Sequence, residues 1–216
     1  MSSEKRILVG VPIPHSYMCN AKLVAQIESW HAALGVETYY PATNSAEDGQ
    51  HKIVDFAMYG KPRATHILFI DYDVIPKTNT LKRLLSHDKD IISGAYPLYQ
   101  KKRIDWCLSL DDPFKAIPYN DEIMWQPNPF KAKVLSNGLM LVKTEVFENL
   151  GKPYWRTLFD DDITSRTLGA DLYFFKKARE AGYDLWVDPK VKCEHVRSVG
   201  LLELANTYRK QQLIKE

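Results

Sequence analysis

Two short runs, Arg6–Val11 (RILVGV) and His66–Ile70 (HILFI), constrain this 216-residue chain more than anything else in it. After their first residues, Arg6 and His66, both are continuously apolar, not at every second position, so neither face of the strand they form can be left to water. A strand buried on both faces belongs in a sheet with helices on either side. The intervening stretches agree. Asn20–Leu34 carries apolar residues at helical spacing (Leu23, Val24, Ile27, Trp30, Leu34) and meets a helix stop at Gly35. Val36–Tyr40 returns as a strand, Pro41–Gly49 is polar and loop-like, and Lys52–Tyr59 reads as a helix closed by Gly60-Lys61-Pro62. Thr78 is placed to cap a helix through His87, and Asp90–Ser93 is a further short strand. This rhythm predicts a three-layer α/β/α fold around a mostly parallel central sheet.

Between Tyr96 and Lys133 the rhythm breaks in a stretch rich in proline, aromatic and charged residues, which reads as a long structureless segment of functional use. Val134–Lys143 resumes as a strand interrupted at Asn137-Gly138, and Thr144 caps a short helix to Leu150. Asp171–Ala181 is a helix stopped by Gly182, Leu185–Val187 and Lys190–Cys193 are short strands, and a charged amphipathic helix begins at Leu201. With no internal repeat and no low-complexity linker, residues 1–216 read as one domain.

A formal net charge of +2 gives no global field for nucleic acid or anionic lipid, and Lys101-Lys102-Arg103 is the only dense basic run. Three widely spaced cysteines (Cys19, Cys107, Cys193) fit neither a disulfide framework nor a structural zinc site. No signal-peptide core and no apolar run of membrane-spanning length is present, so a cytoplasmic, reducing compartment is expected.

The chemistry centres on Asp71-Tyr72-Asp73, which follows HILFI directly and precedes Pro76. An apolar strand here delivers two carboxylates to the carboxyl end of a parallel sheet, where open α/β sheets bind ligands. Two carboxylates with little neighbouring charge suit Mg²⁺ or Mn²⁺, whose shell is completed by phosphate oxygens and water; the plain alternative is a loop in which Asp73 caps a turn. His195 follows the strand ending at Cys193, and its neutral imidazole would complete an Asp71/Asp73/His195 metal set. Gly169-Ala170-Asp171 opens a helix. A carboxylate there caps free amides, and as a rigidly held group it also suits a general base. In Asp160-Asp161-Asp162, solvated loop residues are the plain reading and Asp162 is the second choice of base. Trp106, Trp125 and Trp155 serve either as sugar-stacking faces or as a satellite core.

Taken in order, HILFIDYDVIP, SGAYP, SNGLMLVKTEVFENL and GADLYFFKKAREAGYDLWVDPKVKCEHV resemble the GT-A glycosyltransferases, nearest the compact family 2-like enzymes of viruses and microbes. The resemblance runs from the first strand to His195. It implies a nucleotide-sugar donor, UDP-sugar favoured over GDP-sugar, with base and ribose near Val11, Pro12 and Ile13. It further implies ribose and metal on the segment Asp71, Tyr72 and Asp73, with Asp73 the more direct ligand, and backbone approach to the sugar at Gly138. Asp171 matches the base of inverting members, although Ala170 stands where relatives carry Glu. Relatives also place an arginine near Gln50-His51-Lys52; His51, Lys52 or Arg63 are the substitutes, and Arg63 enters the expected nucleotide-sugar site. Residues 1–95 then form a nucleotide-binding half, 96–200 an acceptor and catalytic half, and 201–216 a terminal helix. The kinship extends the compartment to a virus-encoded protein acting in a host cell. The acceptor stays open among glycan, glycoprotein and modified nucleic acid.

The expected reaction is a metal-dependent single displacement that inverts the anomeric carbon. One rival is a sugar-phosphate nucleotidyltransferase, but VPIPHSYMCN after the first strand lacks the glycine-rich phosphate cradle. The other is a non-catalytic glycan or nucleic-acid module using Lys101–Arg103, which the clustered carboxylates oppose.

Overall fold

The computed structural model describes residues 5–15, 18–100, 103–112, 114–160, 165–198, 200, 202 and 205. Seven strands form the central sheet: β1 (Ile7–Gly10), β2 (Glu37–Tyr39), β3 (His66–Ile70), β4 (Ile91–Ala95), β5 (Phe130–Ala132), β6 (Leu139–Lys143) and β7 (Leu185–Lys192). Their spatial order is β5-β7-β4-β6-β3-β1-β2. Strands β1, β2, β3, β4 and β7 run one way; β6 lies antiparallel between β3 and β4, and β5 is antiparallel to β7. The expected three-layer α/β fold with a mostly parallel sheet is what forms.

Alternate residues of these strands feed two cores. Leu8, Ile67, Phe69, Met140 and Val142 pack with α2 (Ala46–Tyr59), α4 (Thr144–Leu150) and α5 (Ala170–Glu180). Val9, Leu68, Ile70, Leu139 and Leu141 pack with α1 (Ala21–Leu34) and α3 (Thr80–Ser86). Burying both faces is why these strands read as unbroken apolar runs, and each fully buried Leu or Ile contributes roughly 1.5–3 kcal/mol. Trp155 is sealed in the first core, stacked on Phe174 at 4.8 Å.

Several local expectations change. Helix α2 begins at Ala46, not Lys52, because Ser45 accepts a hydrogen bond from the Asp48 amide and caps it. Gly49, read as loop, is inside that helix, where a Cβ would stand 2.6 Å from Pro12 Cβ. Thr78 does not cap α3, whose N-cap is Asn79; its hydroxyl donates to Gln26 and its carbonyl accepts from Trp30. Thr144 is the first residue of α4 and donates its hydroxyl to the Ala64 carbonyl. The two short strands expected at 185–193 are the single strand β7, with a register shift between Val187 and Lys192.

The segment 96–133 is not structureless. It folds into a three-stranded antiparallel sheet (Pro97–Gln100, Arg103–Trp106, Ile117–Pro118), a 3₁₀ turn at Glu122–Trp125 and β5. Lys101, Lys102, Asp161 and Asp162 lie outside the described residues, as does the tail helix apart from Leu202 and Ala205. Cys19, Cys107 and Cys193 are free thiols. Among the described residues no helix is long and apolar enough to cross a membrane.

Candidate functional site

The antiparallel insertion of β6 builds the site. Because β6 runs against β3, pairing Leu139 with Ile70, the start of β6 meets the carboxyl end of β3. The Asp71 amide donates to the Gly138 carbonyl at 3.0 Å, and the Gly138 amide donates to the Tyr96 hydroxyl at 3.2 Å. A Cβ on Gly138 would collide with Asp71 Oδ2 and stand 2.6 Å from its Cγ and 2.9 Å from Tyr96 Oη. Only glycine leaves room for the Asp71 carboxylate. Beside it, the Asn137 side-chain amide donates to Asp171 Oδ1 at 3.0 Å, tying the first turn of α5 to the same corner.

A second ribbon closes the other side. Glu194–His195 pairs antiparallel with Val74–Ile75, and the Val196 amide donates to the Asp73 carbonyl. His195 is thereby held against Asp73, with Nε2 3.7 Å from Asp73 Oδ2, too long for a hydrogen bond. Its Nδ1 lies 2.8 Å from the Pro97 carbonyl, an acceptor only, so the proton belongs on Nδ1, and in the neutral imidazole Nε2 presents a lone pair. That Nε2 is buried and has no hydrogen-bond partner. A lone pair facing a carboxylate in a buried site is an arrangement that a cation between them relieves. Arg197 Nη1, 3.1 Å from Asp73 Oδ2, brings a positive charge close to that carboxylate.

The electrostatics run the same way. Burial, then the charges of Asp171 and Asp73, push the Asp71 carboxyl up to about 7, with His195 and Arg197 pulling against them. Asp171 is an exposed residue whose carboxyl is turned in towards Asn137. Lost hydration raises its carboxyl to about 6, with Arg166 opposing and Glu47 adding to the rise. Tyr96 is pushed well above its ordinary range by burial and by neighbouring Cys107 and Asp71, so its hydroxyl stays neutral against Gly138. Four acids therefore crowd one corner against two arginines.

Asp71, Asp73, Gly138, Asp171 and His195 are thus brought together. Tyr72 belongs to the same turn, and its carbonyl accepts from the Asn20 amide at the start of α1. Val11, Pro12 and Ile13 leave β1 at the same end of the sheet, Val11 bonded to Tyr39 and Ile13 to Pro41. Arg63 is not brought there. It precedes β3, so it lies at the opposite end of the sheet, ion-paired to Glu148 along a groove of about 810 Å³ that also holds Lys5 and Lys143. Nor are the other substitutes free for a ligand: His51 bonds Glu47 and Tyr154 and packs on Trp155, while Lys52 pairs with Asp48. Sequence reasoning missed Arg197, Arg166 and Asn137. The first follows His195 by two, and the last adjoins Gly138. Among the described residues no three His, Cys, Asp or Glu side chains stand close enough together to hold a metal ion, so the expected Asp71/Asp73/His195 set is not closed and only the Asp73–His195 pair is in near contact.

No protein-family model matches the sequence, and no curated protein matches it. Solved structures do match. A197 from STIV aligns at a TM-score of 0.60 with 16% identity, covering 89% of this chain and 86% of that one. GalNAc-T7, crystallised with UDP, GalNAc and Mn²⁺, aligns at 0.52 with 12% identity, covering 92% of this chain and 45% of that one. The catalytic domain of Drosophila β1,4-galactosyltransferase 7, in complex with xylobiose, aligns at 0.50 with 14% identity, covering 89% and 71%. The chain spans under half of the GalNAc-T7 structure. At these identities the likeness is one of fold: the chain has the GT-A architecture found in glycosyltransferases.

Proposed function

We propose that this protein is a divalent-metal-dependent glycosyltransferase that moves a sugar from a nucleotide-sugar, UDP-sugar in first place, to an acceptor hydroxyl with inversion. The observation that carries the reading is the convergence of Asp71, Asp73 and the lone pair of His195 Nε2 on one corner, with Asp171 across it. The GT-A architecture supports it, as does the UDP and Mn²⁺ bound by GalNAc-T7.

The donor set fits a hard cation. Asp73 Oδ2 and His195 Nε2 are the closest pair, and Asp71, raised towards neutrality first by burial and then by the charges of Asp171 and Asp73, is a group whose ionised form a nearby cation would favour. When bound there, Mn²⁺ or Mg²⁺ supplies Lewis-acid neutralisation of the departing diphosphate. The remaining roles belong to the chain. Gly138, lacking a Cβ, leaves room for the Asp71 carboxylate at the corner where the donor sugar would lie. Arg197 holds Asp73 in place, and Asn137 orients Asp171. Asp171 accepts the proton of the acceptor hydroxyl as that oxygen attacks the anomeric carbon. A carboxyl near 6 suits this, being ionised at neutral pH yet more basic than a free aspartate.

Asp73→Ala tests the reading in an Mn²⁺-dependent assay of UDP-sugar hydrolysis or transfer. Loss of about 10²-fold or more is the expected result for a group that holds the charge-neutralising ion. Turnover at the unsubstituted rate would rule the assignment out.

A further inference from the structure

Behind the Asp73–His195 ribbon lies a feature that the donor site does not use. A cavity of about 340 Å³ is lined by Lys22, Ile75, Pro76, Lys77, Lys192 and Glu194. It begins one residue before His195 and two after Asp73. Among the described residues, none of the three lysines has a carboxylate within ion-pair distance, whereas Lys52, Lys131, Lys143 and Lys152 each have one. Glu194 lines the cavity without forming such a pair. Lys192 is half-buried, and burial together with the charge of Lys77 lowers its pKa. Lys77 and Lys192 therefore repel one another across the cavity wall, a repulsion that an incoming anion relieves. Lys22 sits in the first turn of α1, which carries no acidic residue, so the helix dipole adds to the positive field.

An aromatic surface continues from the same lysine. The Lys192 ammonium stands 3.3 Å from the Trp125 ring centroid and 5.5 Å from that of Trp106. Tyr119 stacks on Trp106 at 4.9 Å and meets Trp125 edge-on at 6.4 Å. Trp106 is sealed at 2% exposure, but Tyr119 at 45% and Trp125 at 59% face solvent. The sugar-stacking reading therefore fails for Trp106 and Trp155 and survives for Trp125 alone of the three. Two exposed rings at 83° to one another are not a ladder of parallel planes for successive bases, but they do form a corner for the apolar face of a sugar ring.

We infer that Lys22, Lys77 and Lys192, with Trp125 and Tyr119, form an acceptor subsite for a saccharide bearing a phosphate, sulfate or carboxylate group. The inference rests on the glycosyltransferase reading and deepens it by naming the acceptor's chemical class. The rings take the sugar's apolar face, and the lysines take the anion. A net charge of only +2 and the acids in the neighbouring corner favour a single anionic group over a nucleic-acid polyanion.

Calorimetric titration of the full chain tests this with glucose 6-phosphate against glucose, each with and without UDP and Mn²⁺. Glucose 6-phosphate is expected to bind about ten-fold tighter or more, as charge-assisted contacts of this kind allow. The preference should survive with UDP and Mn²⁺ bound, and vanish in Lys77→Gln/Lys192→Gln while the melting temperature holds. Trp125→Ala should weaken both sugars alike. Equal binding of the two sugars, or binding of neither, overturns the proposal. So does displacement of glucose 6-phosphate by UDP, which would give the lysines to the donor phosphates, and so does tighter binding of a single-stranded dT10 oligonucleotide. Failure of UDP to bind with Mn²⁺ would instead count against the donor site, and is read separately in the same titrations.

Discussion

Replacing Gly138 by alanine isolates the geometry of the site from its chemistry, because it removes no charge, ligand or hydrogen-bonding group. Gly138 does not have a positive φ, so alanine is compatible with the backbone there. The whole effect falls on what the new methyl group meets. It would overlap Asp71 Oδ2 and stand 2.6 Å from Asp71 Cγ and 2.9 Å from Tyr96 Oη. Ordinary carbon–carbon contact needs about 3.5 Å, so the Asp71 carboxylate or the start of β6 must retreat by roughly 0.9 Å. Tyr96 cannot give way freely, since it is buried and accepts from the Gly138 amide itself. Overpacking of this kind costs about 1–3 kcal/mol in stability. For a chain of this size that is a fall of roughly 2–12 °C in Tm. A displacement near 1 Å at a group that positions reactants costs on the order of 10²-fold in turnover. Differential scanning fluorimetry and Mn²⁺-dependent UDP-sugar hydrolysis read the two effects. A variant that folds, binds UDP with Mn²⁺ and turns over at the unsubstituted rate would refute the claim that this corner is built around the Asp71 carboxylate.

Two further outcomes follow from the titratable groups. With Asp171 near 6, raised first by the lost hydration of its carboxyl, kcat should rise with pH through about 6 and level off above it; Asp171→Asn should lower kcat by about 10²–10⁴-fold and erase that limb. Asp188 is fully buried on β7, bonded to Arg83, to His87 and to the Lys190 amide. Burial alone would raise its carboxyl, but those bonds outweigh it and hold the group low. Its contribution is thus present above the unfolded value near 4 and lost as pH falls through the folded value. Asp188→Ala should cost about 3 kcal/mol at neutral pH by stranding Arg83 and His87. In urea denaturation, the variant's stability should also fall less than that of the unsubstituted chain as the pH is lowered below about 4.

The parts of the fold that were legible are those where one physical demand dominates. HILFI could only be a doubly buried strand, and Asp71 and Asp73 had to emerge at its carboxyl end. Gly49 was misread because a glycine in a polar stretch is normally a break; its reason is the contact with Pro12, which no local pattern announces. The direction of β6 is not written in LMLVK either, since burial on both faces looks alike in a parallel and an antiparallel strand. Arg63 could have been excluded from sequence alone. It lies three residues before a five-residue strand whose far end carries Asp71, and that strand alone separates them by about 16 Å.

What the structure adds most is the balance of charge. Each acid taken singly had a plain explanation: Asp73 as a turn residue, Asp171 as a helix cap, and His195 as a polar residue after a strand. Those explanations predict ordinary carboxyls, each satisfied locally. The N-cap of α5 is Gly169, which has no side chain to cap with, and Asp171 in the first turn accepts from Asn137. His195 leaves a buried nitrogen unpaired beside Asp73. Asp71 is raised to about 7, first by burial and then by the charges of Asp171 and Asp73, and Arg197, reaching Asp73 from a half-exposed position, does not cancel that rise. A fold that needed these residues only for structure would lose nothing by replacing Asp71 with asparagine, and would gain stability from the repulsion removed. A variant Asp71→Asn that is more stable and inactive is therefore what a binding corner entails, because the strain is kept for a ligand that carries the opposite charge.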